Sequence, residues 1–135
     1  NRPWQFVLDI SLGYMIYAAR VHEEENVYPR TLNIGPISTA AKLSVKQICD
    51  LTSGCIEGFK YELKVLPLRY KEHKYLSLDT QKMVNYLKWS PKYSAYMAVK
   101  QTMEWYRMVE FENIDRSEAC LTLLNYYLKR IELAN

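Results

Sequence analysis

The chain has 135 residues, of which 49% are hydrophobic and 24% charged, with 18 basic against 15 acidic residues for a net charge of +3. That is the composition of a soluble globular protein long enough to bury a core as one domain. No apolar run approaches the ~20 residues a bilayer requires, and the opening has no signal-peptide pattern, because Pro3 and Asp9 interrupt any apolar stretch.

The chain opens on Asn1-Arg2-Pro3-Trp4-Gln5, which gathers one cation, one large aromatic and one amide. An arginine grips phosphate with a planar fork of donors, a tryptophan supplies a flat apolar wall, and a glutamine both donates and accepts. A phosphate clamp this early points to a chain that begins in mid-protein. Residues 6–24 then carry a helical pattern, with Val7, Ser11, Tyr14, Ala18 and Val21 on one stripe and Leu8, Met15 and His22 beside it. Residues 26–30 read as a turn, and residues 31–34 as a short strand closed by Gly35-Pro36. Ser44-Val45-Lys46-Gln47 has the form of a capping box. It starts a helix over residues 45–57 that buries Ile48, Leu51, Thr52 and Cys55 and stops at Gly58.

Residues 61–66 alternate like a strand ended by Pro67, and residues 75–78 form another extended piece. Asp79 reads as the N-cap of a helix through Met83, Val84 and Leu87, broken by Trp89-Ser90-Pro91. A long helix follows over residues 93–109, with Ala95, Ala98, Thr102, Trp105 and Val109 on its seam. Asp115-Arg116-Ser117-Glu118 starts a last helix with Ala119, Leu123, Tyr127 and Ile131 on its apolar side. The expected class is α/β but mostly helical: one domain over residues 1–135 with a C-terminal helical extension from residue 110, about five helices and three short strands. So few strands suit the edge of a sheet lying elsewhere in a longer chain better than a sheet of their own.

Cys49, Cys55 and Cys120 are odd in number and sparse, which argues for reduced thiols and a cytoplasmic protein. With only His22 and His73, no zinc-ligand spacing exists. Charge is concentrated in one segment. Residues 60–74 hold five cations (Lys60, Lys64, Arg69, Lys71, Lys74) against two anions (Glu62, Glu72), a surplus equal to the whole net charge. A local basic loop suits a small anionic ligand, whereas nucleic acid needs a broader basic face.

Four of these segments resemble one family in its order. Arg2-Pro3-Trp4-Gln5 with Val7-Leu8 and Gly13-Tyr14 is similar to the start of the C-terminal region of CDP-glucose 4,6-dehydratases. Leu32-Asn33-Ile34-Gly35-Pro36 resembles that family's N-(I/F)-G-P strand end, and residues 72–82 its E-x-x-x-L-x-L-D-x-x-K stretch. Leu87-Lys88-Trp89-Ser90-Pro91 followed by Ala98, Thr102 and Trp105-Tyr106 resembles its L-x-W-x-P … T-x-x-W-Y tail, a pattern shared by extended short-chain dehydrogenases acting on nucleotide sugars. The resemblance implies the substrate-binding lobe of an NAD-dependent lyase that makes a 4-keto-6-deoxy sugar nucleotide for deoxysugar and surface-polysaccharide synthesis. It implies that Arg2 and Arg69 meet the diphosphate of a CDP-sugar, that Trp4 lies near the nucleotide, that Gln5 belongs to the same substrate-binding set, and that Glu72 accepts from ribose hydroxyls. Phe6 and Lys71 stand where the family carries histidine.

NAD and the acid–base pair would belong to an N-terminal Rossmann domain through which such enzymes dimerise. The four glycines, at positions 13, 35, 54 and 58, make no dinucleotide fingerprint. Tyr96-Met97-Ala98-Val99-Lys100 matches the superfamily's Tyr-x-x-x-Lys pattern but falls in the tail helix, so it reads as coincidence. The chain by itself is therefore expected to be inactive, with no cofactor or metal of its own. Without the resemblance, Arg2 reads as a surface arginine, Trp4 as packing beneath the first helix, Gln5 as a helix-start residue and Glu72 as one charge on a solvated loop. Trp89, Trp105 and Tyr106 read as core. A related epimerase or decarboxylase lobe, and a non-catalytic interaction module, are the alternative readings.

Overall fold

The computed structural model describes residues 2–24, 26–37, 42–64 and 75–133. Among these, five helices form: α1 Val7–Glu23, α2 Val45–Cys55, α3 Gln81–Leu87, α4 Ala95–Glu110 and α5 Arg116–Glu132. The chain is mostly helical, as its periodicity implies. The expected strands at residues 31–34 and 75–78 are not strands, and neither is the described part, 61–64, of the third; residues 65 and 66 lie outside the described residues. Alternation alone makes no strand. A ladder needs a neighbour with free N–H and C=O groups, and the only backbone pairing of that kind among the described residues is an isolated antiparallel bridge between Arg2 and Leu43.

Four of the five helix starts have a local side-chain acceptor, and α1 has none. At α2 the Ser44 Oγ accepts from the Gln47 N–H (3.2 Å) while Gln47 Oε1 accepts from the Ser44 N–H (2.8 Å), a complete capping box. Ser94 Oγ accepts from the Met97 N–H at the head of α4. Asp115 accepts from the N–H groups of Ser117 and Glu118 at the head of α5. Asp79 accepts from the Gln81 N–H at 2.9 Å, although the residue flanking α3 is the buried Thr80. Lys88 leaves α3 in the left-handed region (φ 50°) and turns the chain toward Trp89.

Helix α4 packs against α2 and α5, and α1 packs against α3. Two apolar clusters hold α4 to α5 and α1 to α3, and neither includes a residue of α2. One gathers Phe6, Tyr93, Ala98 and Tyr127, with Phe6 stacked on Tyr93 (centroids 5.0 Å apart) and Tyr127 edge-on to Tyr93 (5.4 Å). The other gathers Met83, Leu87 and Trp89 beneath Ile16, Tyr17, Leu32 and Ile34. Leu12 touches both clusters.

The buried face of α1 differs from the expected stripe. Val7, Tyr14 and Met15 are exposed, whereas Asp9 and Gly13 are buried. Gly13 is small because Trp89 lies over it: a β-carbon there would stand 2.8 Å from the Trp89 ring. Asp9, fully buried, accepts from the Lys92 N–H (2.8 Å), the Tyr93 N–H (3.1 Å) and the Tyr127 hydroxyl (2.7 Å). One carboxylate thus ties α1 to the head of α4 and to α5. The seam of α4 is also shifted, since Ala98, Val99, Gln101 and Met108 are buried and Thr102 is exposed. A helix between two neighbours buries two faces, and a single stripe does not describe it.

Thr52 is buried in α2 as expected, while Cys55 is exposed and the helix ends there, before Gly58. All three cysteines are free thiols. The expected apolar side of α5 is observed, with Ala119 and Tyr127 buried and Leu123 and Ile131 half-buried. Of the aromatic residues assigned to the core, Trp89 is buried, Trp105 is half-buried and Tyr106 is exposed.

Candidate functional site

The opening segment crosses the head of α2. Helix α1 begins only at Val7, because Phe6 remains extended (ψ 138°). That leaves residues 2–6 as a ribbon beside residues 43 and 44. The Leu43 carbonyl receives two donors from it, the Trp4 indole Nε1–H at 2.8 Å and the Arg2 N–H at 3.4 Å. The Trp4 N–H turns back onto the Arg2 carbonyl (3.0 Å). Arg2, Trp4 and Gln5 are each half-buried. Phe6, which follows them, is anchored in the Tyr93 and Tyr127 cluster.

Gln5 is one of three residues, with Trp89 and Tyr93, whose buried polar atom lacks a partner among the described residues. In Gln5 that atom is the amide Nε2. A buried amide donor without an acceptor costs about 1–3 kcal/mol. Arg69 and Glu72, the other two residues expected at the site, lie outside the described residues, as does His73. The structure therefore brings Arg2, Trp4 and Gln5 together.

The chain leading toward residues 65–74 is fastened to the same helix. Tyr61 donates its hydroxyl to Asp50 Oδ1, and Lys46 Nζ donates to Asp50 Oδ2 at 2.8 Å. The two donors hold the Asp50 carboxyl below the usual carboxylate range, with the bond from Lys46 the larger cause. The same contact with Asp50 raises the Lys46 ammonium and the Tyr61 hydroxyl above their ordinary values. Helix α2 thus carries Trp4 at its head and Tyr61 midway along.

A concavity of about 270 Å³ lies between the start of α1 and helices α4 and α5. Its walls are Phe6, Val7, Leu8, Trp105, Tyr106 and Leu123. Its polar groups are partly committed: Thr102 Oγ1 donates to the Ala98 carbonyl (2.8 Å), and Trp105 Nε1 donates to Cys120 Sγ (3.3 Å). The Val7-Leu8 and Thr102, Trp105-Tyr106 segments, nearly a hundred residues apart in the sequence, meet here. Such a cleft can accept an apolar side chain or ring and offers no charged group.

A β-carbon at Gly13 would meet the Trp89 ring and one at Gly35 the Leu78 side chain, whereas Gly54 and Gly58 face open space. Tyr96 and Lys100 lie on the exposed side of α4, along a small cleft with Asp50, Gly54 and Cys55 of α2. No group of three or more His, Cys, Asp or Glu side chains placed to hold a metal occurs among the described residues. No described helix is long and apolar enough to cross a membrane.

Sequence reasoning missed Leu43 and Asp9. Leu43 acts through its carbonyl, which no side-chain motif reports, and its partner Trp4 is 39 residues away. The nearest signal was the capping box beginning at Ser44, which marks where that carbonyl is fixed. Compared with known proteins, the chain matches no family model, no curated protein and no solved structure.

Proposed function

We propose that this chain is the nucleotide-sugar-binding lobe of a CDP-glucose 4,6-dehydratase-like lyase of the extended short-chain dehydrogenase type. In this reading Arg2 and Arg69 hold the diphosphate of a CDP-sugar, Trp4 and Gln5 border the nucleotide, and Glu72 orients the ribose. NAD and the acid–base residues belong to a Rossmann half, and the lobe alone turns nothing over. The whole enzyme would work in the cytoplasm, as a homodimer, in deoxysugar synthesis.

The reading is carried by the Arg2-Pro3-Trp4-Gln5 motif, held as one anchored ribbon and ending on an amide donor with no described partner. A guanidinium offers a diphosphate two parallel charge-assisted bonds. The test is a titration with CDP followed by NMR. Amide resonances of Arg2, Trp4 and Gln5 and of residues 69–72 are expected to shift together with one dissociation constant, and Arg2→Gln to abolish the shift. Resonances unmoved at millimolar CDP would contradict the reading.

The apolar cleft at Trp105 and Tyr106 favours the interaction module as a second reading. It predicts that CDP leaves every resonance in place.

A further inference from the structure

Helix α5 carries two apolar stripes, and the fold buries one of them. Ala119, Leu123, Tyr127 and Ile131 recur every four residues and face inward. Leu121, Leu124 and Leu128 recur at i, i+3 and i+7, about a third of a turn around the helix. They are 59%, 37% and 41% exposed. Alternating steps of three and four residues make the seam along which two helices pack side by side.

This stripe adjoins the apolar cleft between α1, α4 and α5. Cys120, one turn before Leu124, belongs to the cleft wall, as do Val7 and Tyr106, which are 63% and 45% exposed. A hollow thus lies beside the first half of α5, and Leu128 projects from its second half. A two-fold axis presents one patch to itself. With the axis at Leu124 and the helices antiparallel, Leu128 of one copy faces Cys120 of the other and the mouth of its cleft. Val7, Tyr106 and the three leucines leave about 450 Å² per copy in water, a size at which an apolar patch marks an interaction site. A standard interface buries about 800 Å² per partner, a little over half of it apolar. These five residues therefore match the apolar share of one dimer contact.

Charge selects the antiparallel pairing. The polar border of the stripe has Glu118 in the first turn of α5 and Lys129 in the last, both exposed. An axis at Leu124 sets Glu118 beside Lys129 of the other copy at both ends, and it opposes the two helix dipoles. A parallel pair would stack Glu118 on Glu118 and Lys129 on Lys129. We propose that α5 pairs antiparallel with α5 of a second copy of this chain, around a two-fold axis at Leu124. The contact is separate from a Rossmann-domain dimer and stands whether or not the chain binds CDP.

The test is the mass of the full chain by sedimentation, from low micromolar to near-millimolar concentration. A reversible dimer with a micromolar midpoint is expected. Leu124→Glu sets two carboxylates at the axis and should weaken the dimer about a hundredfold, with the helical far-UV spectrum unchanged. Leu121→Glu, at a more exposed position, should repeat that loss, which separates the contact from a folding defect at residue 124. Tyr14→Glu, on the exposed side of α1, should leave the midpoint where it is. Lys129→Glu should weaken the dimer about threefold, and Glu118→Lys/Lys129→Glu should recover it. A chain that stays monomeric throughout would overturn the proposal, as would a Tyr14→Glu effect equal to that of Leu124→Glu. Wild-type association by both leucine variants would overturn it as well. A charge reversal that leaves the midpoint unmoved, or that the double variant does not restore, would overturn the antiparallel register.

Discussion

A carboxylate with no exposed surface is the most consequential residue in this fold. Asp9 was legible in the sequence only as a break in an apolar run, because its partners lie 83, 84 and 118 residues away. Placing α1 by its apolar residues alone therefore turned the helix toward Val7 and Tyr14, whereas the structure turns it toward Asp9 and Gly13. Asp9→Ala is expected to cost about 3–5 kcal/mol in urea unfolding, because a buried hydroxyl and two N–H groups lose their acceptor together. Asp9→Asn keeps one acceptor oxygen and should cost less.

The same contact predicts a pH response. Burial first, and the bond to Asp9 second, hold the Tyr127 hydroxyl well above its ordinary value of 10.0; burial also raises Tyr93. A raised value means the folded chain keeps protons that the unfolded chain loses. Stability from these tyrosines is thus complete below about pH 10 and falls as pH climbs beyond it. Urea midpoints measured from pH 8 to 11 should decline above pH 10, and Tyr127→Phe should flatten that decline.

At the level of elements, helix starts were readable, and so was the apolar face of α5, but the faces of α1 and α4 were not. Capping chemistry is local: Ser44 with Gln47, and Asp115 with Ser117 and Glu118, sit within four residues of their partners, and α2 and α5 begin where those residues say. Faces and strands depend on neighbours. Residues 31–34 and 75–78 have the alternation of strands but no ladder to join. The loop leaving α3 carries a cost of its own, since Lys88 holds a left-handed conformation that favours glycine. Lys88 is exposed, so Lys88→Gly should raise the melting temperature through a gain of about 0.5–1 kcal/mol.

Across the whole molecule, two clusters are joined at Leu12. One holds the opening ribbon through Phe6, and the other seats α3 and Trp89 beneath α1. Leu12→Ala should lower stability by about 2–4 kcal/mol, as cavities in a packed core do. It should also preserve a single transition, so that near-UV and far-UV signals still coincide. Of the candidate site, the ribbon of Arg2, Trp4 and Gln5 was legible because its residues are consecutive. The carbonyl that anchors it was not, because it is main chain. The functional account depends on Arg2 and Arg69 converging on one anion, and a crystal structure of the chain with CDP tests that most directly. The account predicts both guanidinium groups within hydrogen-bonding distance of the same diphosphate. A diphosphate held by neither arginine, or the two arginines on opposite faces of the fold, would contradict it.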